Sequence, residues 1–155
     1  MGRPNRHRRR KLTPQVRLRV MRSIRSTGTR PERLLYATVK RVFGGARVLR
    51  YPRWLRGHPD VYIPKLRLAL FCDGCFFHGC EKHYRIPPRN STYWQGKVEG
   101  NAKRDRAVSK ALRRSGISVW RIWEHDCQPG TEGGLEHRLR VIRNRVQHRE
   151  GSPMK

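Results

Sequence analysis

Residues 60–80 read DVYIPKLRLALFCDGCFFHGC, and this stretch decides the fold. Residues 61–63 and 66–71 are short apolar runs separated by a turn, which predicts a β-hairpin. The second run is almost continuously apolar, so we expect it to be a central, buried strand. Because a hairpin returns the chain to the edge where it began, we expect Asp60 and the Cys72-Asp73 pair to lie at one end of the sheet.

Outside the hairpin, the sequence predicts helices around a mixed sheet. Thr29 and Glu32 form a capping box that opens one helix, and Gly44-Gly45 ends it. The predicted order is α-α-β-β-β-α-β-α, with helices at 13–26, 30–43, 92–114 and from about 133, and strands at 46–51, 61–63, 66–71 and 117–123. This order predicts the α/β class, specifically an α+β mixed sheet flanked by helices. We expect a disordered basic arm at 1–12, one domain at 13–148 and a flexible tail at 149–155.

The charge of the chain points to a polyanionic partner. Lys and Arg number 37 against 11 Asp and Glu, a formal net charge of +26. Nucleic acid is the first partner that such a charge suggests, and an anionic membrane surface is the rival. No apolar run approaches the roughly 20 residues that span a bilayer, and the N-terminus lacks the apolar stretch of a signal peptide. We therefore expect a cytoplasmic protein with reduced cysteines.

The cysteine-rich loop after the hairpin has the composition of a structural zinc site. Cys75, Cys80 and His83 lie within one loop, and Cys127 follows the strand predicted at 117–123. Four thiolate and imidazole ligands would make a closed site, and the metal would order a loop that contains few core residues. Reduced, buried cysteines without metal are the alternative, and His78 could replace His83 as the imidazole ligand.

Three further residues are candidates for chemistry at the end of the hairpin. Asp60 either caps a turn or binds a hard cation such as Mg²⁺, which a backbone carbonyl at Cys72 could also contact. His78 is either a zinc ligand or the base for an attacking water. Glu32 is sufficiently explained as the capping-box residue. These residues suggest a metal-dependent nuclease with a separate zinc site.

Aromatic side chains flank the basic loop. Phe76 and Phe77 lie between the proposed zinc ligands, and Tyr93 and Trp94 open the helix predicted at 92–114. Scattered aromatic residues are usually part of the core. This loop has little core to join, so we expect some of them to be exposed for stacking on bases or wedging between them.

Several motifs together resemble one family, the very-short-patch-repair DNA mismatch endonucleases. The resemblance covers roughly residues 18–128, and the motifs keep their order along the chain. They are Met21-Arg22-Ser23-Ile24-Arg25-Ser26, Thr29-x-Pro31-Glu32, Pro59-Asp60, Phe71-x-Asp73-Gly74-Cys75-Phe76-x-His78-Gly79-Cys80 with His83, Tyr93-Trp94-x-x-Lys97-x-x-x-Asn101 with Arg104-Asp105, and Trp123-Glu124-x-x-Cys127. The resemblance implies a restriction-endonuclease-like fold and nicking of one strand at T:G mismatches left by deamination of 5-methylcytosine.

The resemblance also assigns roles to individual residues. It implies that Asp60 and the Cys72 carbonyl hold the catalytic Mg²⁺, that His78 is the general base, and that Glu32 and Asp73 support the active site. Cys75, Cys80, His83 and Cys127 fall on the structural Zn²⁺ positions. Residues expected to contact DNA are Phe76, Phe77, Trp94, Lys97, Asn101, Arg104, Arg22 and Arg25. Phe77 stands where a tryptophan is usual, and Asp73 occupies a position that is histidine in some members.

The expected substrate is therefore double-stranded DNA with a T:G mismatch. Mismatch-repair proteins are further candidate partners, no membrane partner is expected, and we expect a monomer that associates with the bacterial nucleoid through DNA. The rival functions are a zinc-stabilised, non-catalytic nucleic-acid-binding protein and a restriction nuclease of matched sites. A merely binding protein has no need of Asp60, Glu32 and His78 together.

Overall fold

The computed structural model describes Thr13 and residues 27–150, with the side chains of 149 and 150 left aside. The predicted basic arm, the helix predicted at 13–26 and residues 151–155 lie outside the described part, apart from Thr13. So do Arg22 and Arg25, two of the predicted DNA contacts. The predicted tail boundary at 149 falls inside the last helix, which continues to Glu150.

Three α-helices and four strands make up the described chain. The helices are α1 (Arg30–Val42), α2 (Ser91–Arg114) and α3 (Glu132–Glu150). The strands are β1 (Leu49–Arg50), β2 (Val61–Ile63), β3 (Leu68–Asp73) and β4 (Ser118–Trp123). This is the mixed α/β architecture that the sequence predicts, although β1 is shorter than predicted and the start of the third run forms a 3₁₀ turn at Pro64–Leu66.

The helix α1 begins where its capping box predicts. The Thr29 side chain accepts the backbone N–H of Glu32, and Pro31 lies in the first turn, where its missing N–H costs nothing. Leu35, Val39 and Val42 are buried on one face. The N-terminus of α1, with Glu32, is therefore held in a defined position beside the sheet.

The sheet has the order β1-β2-β3-β4. β1 with β2 and β2 with β3 pair antiparallel, whereas β3 pairs parallel with β4, and Leu68 to Asp73 align with Ser118 to Trp123. Parallel strands require a crossover connection, which α2 supplies. The carboxyl ends of β3 and β4 therefore lie side by side, so the loop at 74–90 and the turn after Trp123 leave the sheet at the same edge.

Two cores cover the two faces of the sheet. The larger core packs α1 and α3 against Val61, Leu68, Leu70 and Ile122. The smaller core packs Leu112 of α2 against the opposite face, which is formed by Tyr62, Ala69, Phe71 and Val119. Phe71, Asp73 and Arg121 share this second face because side chains alternate along a strand and paired residues point the same way. The charged residues at the end of the sheet therefore face α2.

Candidate active site and metal centre

Asp60 immediately precedes β2 and points its carboxylate at the end of β3. Its Oδ2 accepts the backbone N–H of Cys72 at 2.7 Å. Burial raises the pKa of Asp60 from 3.8 to about 7; the Cys72 N–H and the charge of Arg121 oppose this rise, and the charges of Glu32 and Asp73 add to it. A partly buried carboxylate with other acidic groups nearby is a favourable place for a cation with oxygen ligands.

The carbonyl of Cys72 faces the same side as this carboxylate. In a strand, the N–H and C=O of one residue point toward the same neighbour. The Cys72 N–H is directed to Asp60, and the β2–β3 pairing ends at Val61 and Leu70, two residues earlier on β3. We therefore expect the Cys72 carbonyl to lie on the side of the Asp60 carboxylate, where both oxygens would be available to a hard divalent cation.

Glu32 is buried and is tied to the strand that carries Asp60. Its carboxylate accepts hydrogen bonds from the Thr29 hydroxyl at 2.8 Å, the Gly28 N–H at 2.7 Å and the Tyr51 hydroxyl. Tyr51 in turn donates its backbone N–H to the carbonyl of Asp60 at 3.3 Å. Burial, together with the hydrogen bond to Glu32, raises the pKa of Tyr51. Thr29 therefore caps the helix, while Glu32 reaches back to the Gly28 N–H and the Thr29 hydroxyl, and the same carboxylate is linked through Tyr51 to the main chain of Asp60.

His78 is held by a carboxylate from α2. Its Nδ1 lies 2.6 Å from Oδ2 of Asp105. An ionised carboxylate can only accept, so Nδ1 donates to Asp105, and in the neutral form of the ring Nε2 is the acceptor. Gly79 allows this close approach. Its φ is +67°, and a Cβ at this position would lie 2.7 Å from Val98 Cγ1 on α2. The loop that carries His78 therefore lies directly on α2.

Both carboxylate oxygens of Asp73 pair with Arg121 of β4. Arg121 donates from Nε to Oδ2 at 2.6 Å and from Nη2 to Oδ1 at 2.7 Å, and its Nη2 also lies 2.9 Å from Oδ1 of Asp105. Burial alone would lower the pKa of Arg121, but the hydrogen bonds and charges of Asp73 and Asp105 raise it. Asp73 is thus a buried partner of arginine, and its charge contributes to the raised pKa of Asp60.

A second group of ligand atoms gathers where β3 and β4 end. Its members are Cys75, Cys80, His83 and His125, and their ligand atoms lie within 4.8 Å of one another. Cys75 Sγ is 3.1 Å from His125 Nδ1 and 3.8 Å from His83 Nδ1; Cys80 Sγ is 3.7 and 3.6 Å from the same atoms. A tetrahedral zinc ion separates sulfur and nitrogen ligands by roughly 3.5 Å. Both the donor set and its spacing therefore fit zinc.

This arrangement corrects the predicted position of Cys127 in the ligand set. The chain turns through a 3₁₀ helix at Glu124–Cys127, which presents His125 to the cysteine loop and directs Cys127 into the larger core. There its thiol forms a hydrogen bond with the Cys72 thiol, which, together with burial, raises the pKa of Cys72. Sequence spacing could not distinguish two candidate ligands that lie two residues apart within such a turn.

The cysteine loop is positioned by Glu124 as well as by its ligand atoms. Oε1 of Glu124 accepts the backbone N–H of Cys75 at 2.8 Å. Burial raises the pKa of the Cys75 thiol to about 11, although a hydrogen bond with the His125 backbone lowers it. Because a metal binds the thiolate, occupation of this site would release a proton from Cys75.

The aromatic residues form one cluster beside the cysteine loop. The Phe76 ring lies 5.3 Å from Phe77, 5.0 Å from Trp94 and 5.7 Å from Tyr84, and Tyr93 lies 5.2 Å from Trp94. Phe77 is 48% exposed and Tyr93 is 56% exposed, whereas Phe76 and Trp94 are partly buried. Phe76 therefore acts as the packed base of a cluster from which Phe77 projects.

The polar residues of α2 support the same loop. Asn101 donates its side-chain N–H to the carbonyl of Phe77 at 2.7 Å, and Arg104 donates to the Asn101 side chain. Lys97 lies 5.8 Å from the centre of the Tyr93 ring. Of the predicted DNA contacts on α2, Asn101 is thus engaged in holding the exposed aromatic loop, whereas Lys97 and Arg104 are exposed cations next to it.

Comparison with known proteins identifies the family of this chain. The model of the DNA mismatch endonuclease Vsr family matches residues 10–84. The type II nicking enzyme V.XorIIP of Xanthomonas oryzae pv. oryzae is 36% identical over 134 residues, which cover 85% of this chain and 95% of that enzyme. The chain belongs to the Vsr family.

Two further relatives widen the comparison. The type II nicking enzyme V.NaeI of Lentzea aerocolonigenes is 36% identical over 113 residues, or 71% of this chain and 68% of that enzyme. The DNA mismatch endonuclease Vsr of Escherichia coli (strain K12) is 31% identical over 71 residues, 45% of this chain and 46% of its own length. As a Vsr-family protein, this chain is a DNA endonuclease with a restriction-endonuclease-like fold, as the sequence resemblance implies.

In this Vsr-family endonuclease, the structure adds Asp105, Arg121 and His125 to the candidate site that the sequence predicts. Asp105 belongs to the Arg104-Asp105 motif of the family resemblance. Its place on the helix predicted at 92–114 could have suggested it as a partner for His78. His125 directly follows the Trp123-Glu124 pair. The sequence did not indicate a role for Arg121, because an arginine in a strand of alternating polar and apolar residues is normally exposed to solvent. Among the described residues, no helix has the length and apolar character needed to cross a membrane.

Proposed function

We propose that this endonuclease nicks one strand of duplex DNA at T:G mismatches that arise by deamination of 5-methylcytosine, and that it requires Mg²⁺. One observation carries the proposal: the partly buried Asp60 carboxylate, paired with the Cys72 main chain, shares one end of the sheet with the His78–Asp105 pair. The names of the relatives, which are nicking enzymes and a mismatch endonuclease, support the same reading.

Asp60 and the Cys72 carbonyl are the residues that would hold Mg²⁺. When bound, the ion supplies charge that stabilises the scissile phosphate and the leaving oxygen. The raised pKa of Asp60, about 7, supports this assignment because burial disfavours the ionised carboxylate, and a bound cation would offset that cost. Glu32 acts through Tyr51 and the Asp60 main chain, so it holds the strand that carries the ligand.

His78 is the residue that would remove a proton from the attacking water. Asp105 fixes the proton on Nδ1 and leaves the lone pair of Nε2 available, which is the arrangement that a general base needs. The same carboxylate stabilises the imidazolium that forms when His78 takes the proton. Arg121, paired with both Asp73 and Asp105, keeps these carboxylates in place.

The aromatic cluster is suited to recognising a mismatch. The half-exposed Phe77 can insert next to a mispaired base while Phe76 and Trp94 support it. A mismatched pair costs less to unstack than a matched one, so insertion of an aromatic ring favours the damaged site. The net charge of +26, with exposed Lys97 and Arg104 nearby, provides the attraction to the phosphates.

Zinc bound by Cys75, Cys80, His83 and His125 would hold the loop that carries both Phe77 and His78. Four protein ligands would leave no open position on the ion, which is typical of structural zinc. We place the enzyme in the cytoplasm, as a monomer acting on DNA at the nucleoid, with mismatch-repair proteins as candidate partners.

The test is a nicking assay on a set of duplexes that differ in one base pair. Each duplex has one central T:G pair in a different sequence context, and its matched controls have C:G and T:A at that position. We expect one nick in the T-containing strand of mismatched duplexes, with Mg²⁺ and not after its removal. The Asp60→Ala protein controls for contaminating nucleases. Double-strand cleavage of matched duplexes would instead identify a restriction nuclease.

A further inference from the structure

The guanidinium of Arg121 joins two carboxylates that come from different parts of the chain. It contacts both oxygens of Asp73, at the end of β3, and Oδ1 of Asp105, on α2. The remaining oxygen, Oδ2 of Asp105, accepts from His78 Nδ1 at 2.6 Å. All four carboxylate oxygens are therefore occupied, and a continuous set of charged hydrogen bonds runs from Asp73 to His78.

Arg121 is itself held firmly. Its guanidinium lies 4.7 Å from the centre of the Phe71 ring, the residue paired with it across β3 and β4, and its side chain is 24% exposed. A planar guanidinium with bidentate bonds to one carboxylate has little rotational freedom. The direction in which it presents Nη2 to Asp105 is thus set by the sheet.

We propose that Arg121 is a positioning residue for the cleavage step: it fixes Asp105, and Asp105 in turn fixes the imidazole of His78. The inference rests on the proposed role of His78 in nicking DNA. The Asp105 side chain is 25% exposed, and without a partner on Oδ1 its carboxylate would sample several rotamers. With Arg121 on Oδ1, only Oδ2 is left to hold His78, and a displacement of the base by about 1 Å can cost about 100-fold in rate.

Arg121 also takes the place that a second metal ion could fill. Asp73, His78 and Asp105 bring ligand atoms within 4.8 Å of one another, a grouping that could accept a cation. The guanidinium already supplies that cation and satisfies three of the oxygens. A lysine could not replace it, because one ammonium cannot form the bidentate pair with Asp73 and reach Asp105 in the same geometry.

The first experiment separates catalysis from DNA binding. Arg121→Gln and Arg121→Lys are compared with Arg145→Gln, which removes one exposed charge on α3 beside Trp120, away from this site. We expect both Arg121 variants to slow single-turnover nicking of saturated DNA by at least about 10-fold. Their Kd for the same duplex should stay within about 3-fold of that of the Arg145→Gln control. A change confined to Kd would overturn the proposal. If Arg121→Gln does not fold, the comparison is made with Arg121→Lys alone.

Double-mutant cycles then distinguish positioning from simple neutralisation of Asp73. If Arg121 acts through Asp105, Arg121→Gln should cost little further rate in an Asp105→Asn background, although it still slows nicking about 10-fold in an Asp73→Asn background. The opposite pattern, with the cost lost in the Asp73→Asn protein and kept in the Asp105→Asn protein, would show that Arg121 merely compensates a buried charge.

A spectroscopic readout keeps this inference separate from the proposed substrate. In ¹⁵N-labelled protein without DNA, we expect the Nδ1 proton of His78, assigned with His78→Gln, to give a downfield signal that exchanges slowly with water. Arg121→Gln should abolish that signal, and Arg145→Gln should leave it. An unchanged signal in Arg121→Gln would overturn the inference. Failure of the wild type to nick T:G duplexes would overturn the substrate assignment and leave this measurement valid.

Discussion

The side chains of His78 and Asp105 lie 2.6 Å apart although 26 residues separate them in the chain. One belongs to the cysteine-rich loop and the other to α2, and the pair forms because Gly79 lets the loop lie against Val98. The pairing defines which nitrogen of the imidazole is free, so the fold itself prepares His78 to accept a proton from one direction. The proposed reaction depends on that preparation.

Replacement of Asp60 should separate binding from cleavage. We expect Asp60→Ala to reduce nicking at least about 100-fold, because it removes the carboxylate that would hold the cation, while binding to mismatched DNA persists. Cleavage and gel-shift assays on one duplex measure the two properties. If Asp60→Ala nicks at the wild-type rate, the active site lies elsewhere.

The metal-free protein should lose stability with rising pH because of Asp60. The pKa of this group is raised from 3.8 to about 7 in the folded state, so the folded protein holds a proton that the unfolded chain releases. Its contribution to stability is complete below pH about 4 and is lost as the pH rises through about 7. In Mg²⁺-free buffer without chelator, Asp60→Asn should therefore be the more stable protein, by at least about 1 kcal/mol at pH 8.

The pH series is the check on this second prediction. Urea unfolding at intervals from pH 4.5 to pH 8 should show that the advantage of Asp60→Asn grows up to about pH 7 and then levels off. Added Mg²⁺ should stabilise the wild type and not the variant. An advantage that does not vary with pH would mean that Asp60 is ionised in the fold throughout this range.

His78 and His83 should differ in what their loss removes. We expect His78→Ala to keep one zinc per chain and its melting temperature, and to lose at least about 100-fold in nicking rate, the usual contribution of a positioned base. His83→Ala should lose zinc and stability first, and activity as a consequence. Elemental analysis, thermal unfolding and nicking assays on both proteins decide the question. Loss of zinc from His78→Ala would reverse the assignment.

The fourth zinc ligand can be identified by comparing His125 with Cys127. We expect His125→Ala to lose zinc, because its Nδ1 lies 3.1 Å from the Cys75 sulfur. Cys127→Ser should keep zinc and lose about 1 to 3 kcal/mol of stability, since it places a hydroxyl in an apolar core. Zinc content per chain of the folded proteins is the measurement. Zinc loss in Cys127→Ser alone would restore the arrangement expected from the sequence.

Phe77 should contribute to mismatch affinity more than to folding. Because its ring is half exposed, we expect Phe77→Ala to leave the melting temperature nearly unchanged and to weaken binding of a T:G duplex by about 10-fold, a typical loss for one stacking aromatic. Ile86→Ala, at a similarly exposed apolar residue of the same loop, is the control. Phe77→Trp should bind at least as tightly as the wild type. Equal losses on matched and mismatched duplexes would contradict a role in mismatch recognition.

Local sequence patterns determined the elements and much of the site. The apolar hairpin, the Thr29–Glu32 cap and the spacing of Leu135, Leu139, Ile142 and Val146 on α3 all follow from neighbours within a few residues, and the structure confirms them. The association of Asp60 with Cys72 also follows, because a hairpin brings its two ends together whatever surrounds it.

Tertiary structure alone decided which distant side chains complete the site. The parallel register of β3 and β4 sets Arg121 beside Asp73, and α2 then brings Asp105 to both Arg121 and His78. The 3₁₀ turn after β4 decides that His125 meets the cysteines while Cys127 enters the core. Such contacts depend on strand register and on side-chain direction, because a shift of one residue turns a side chain to the opposite face.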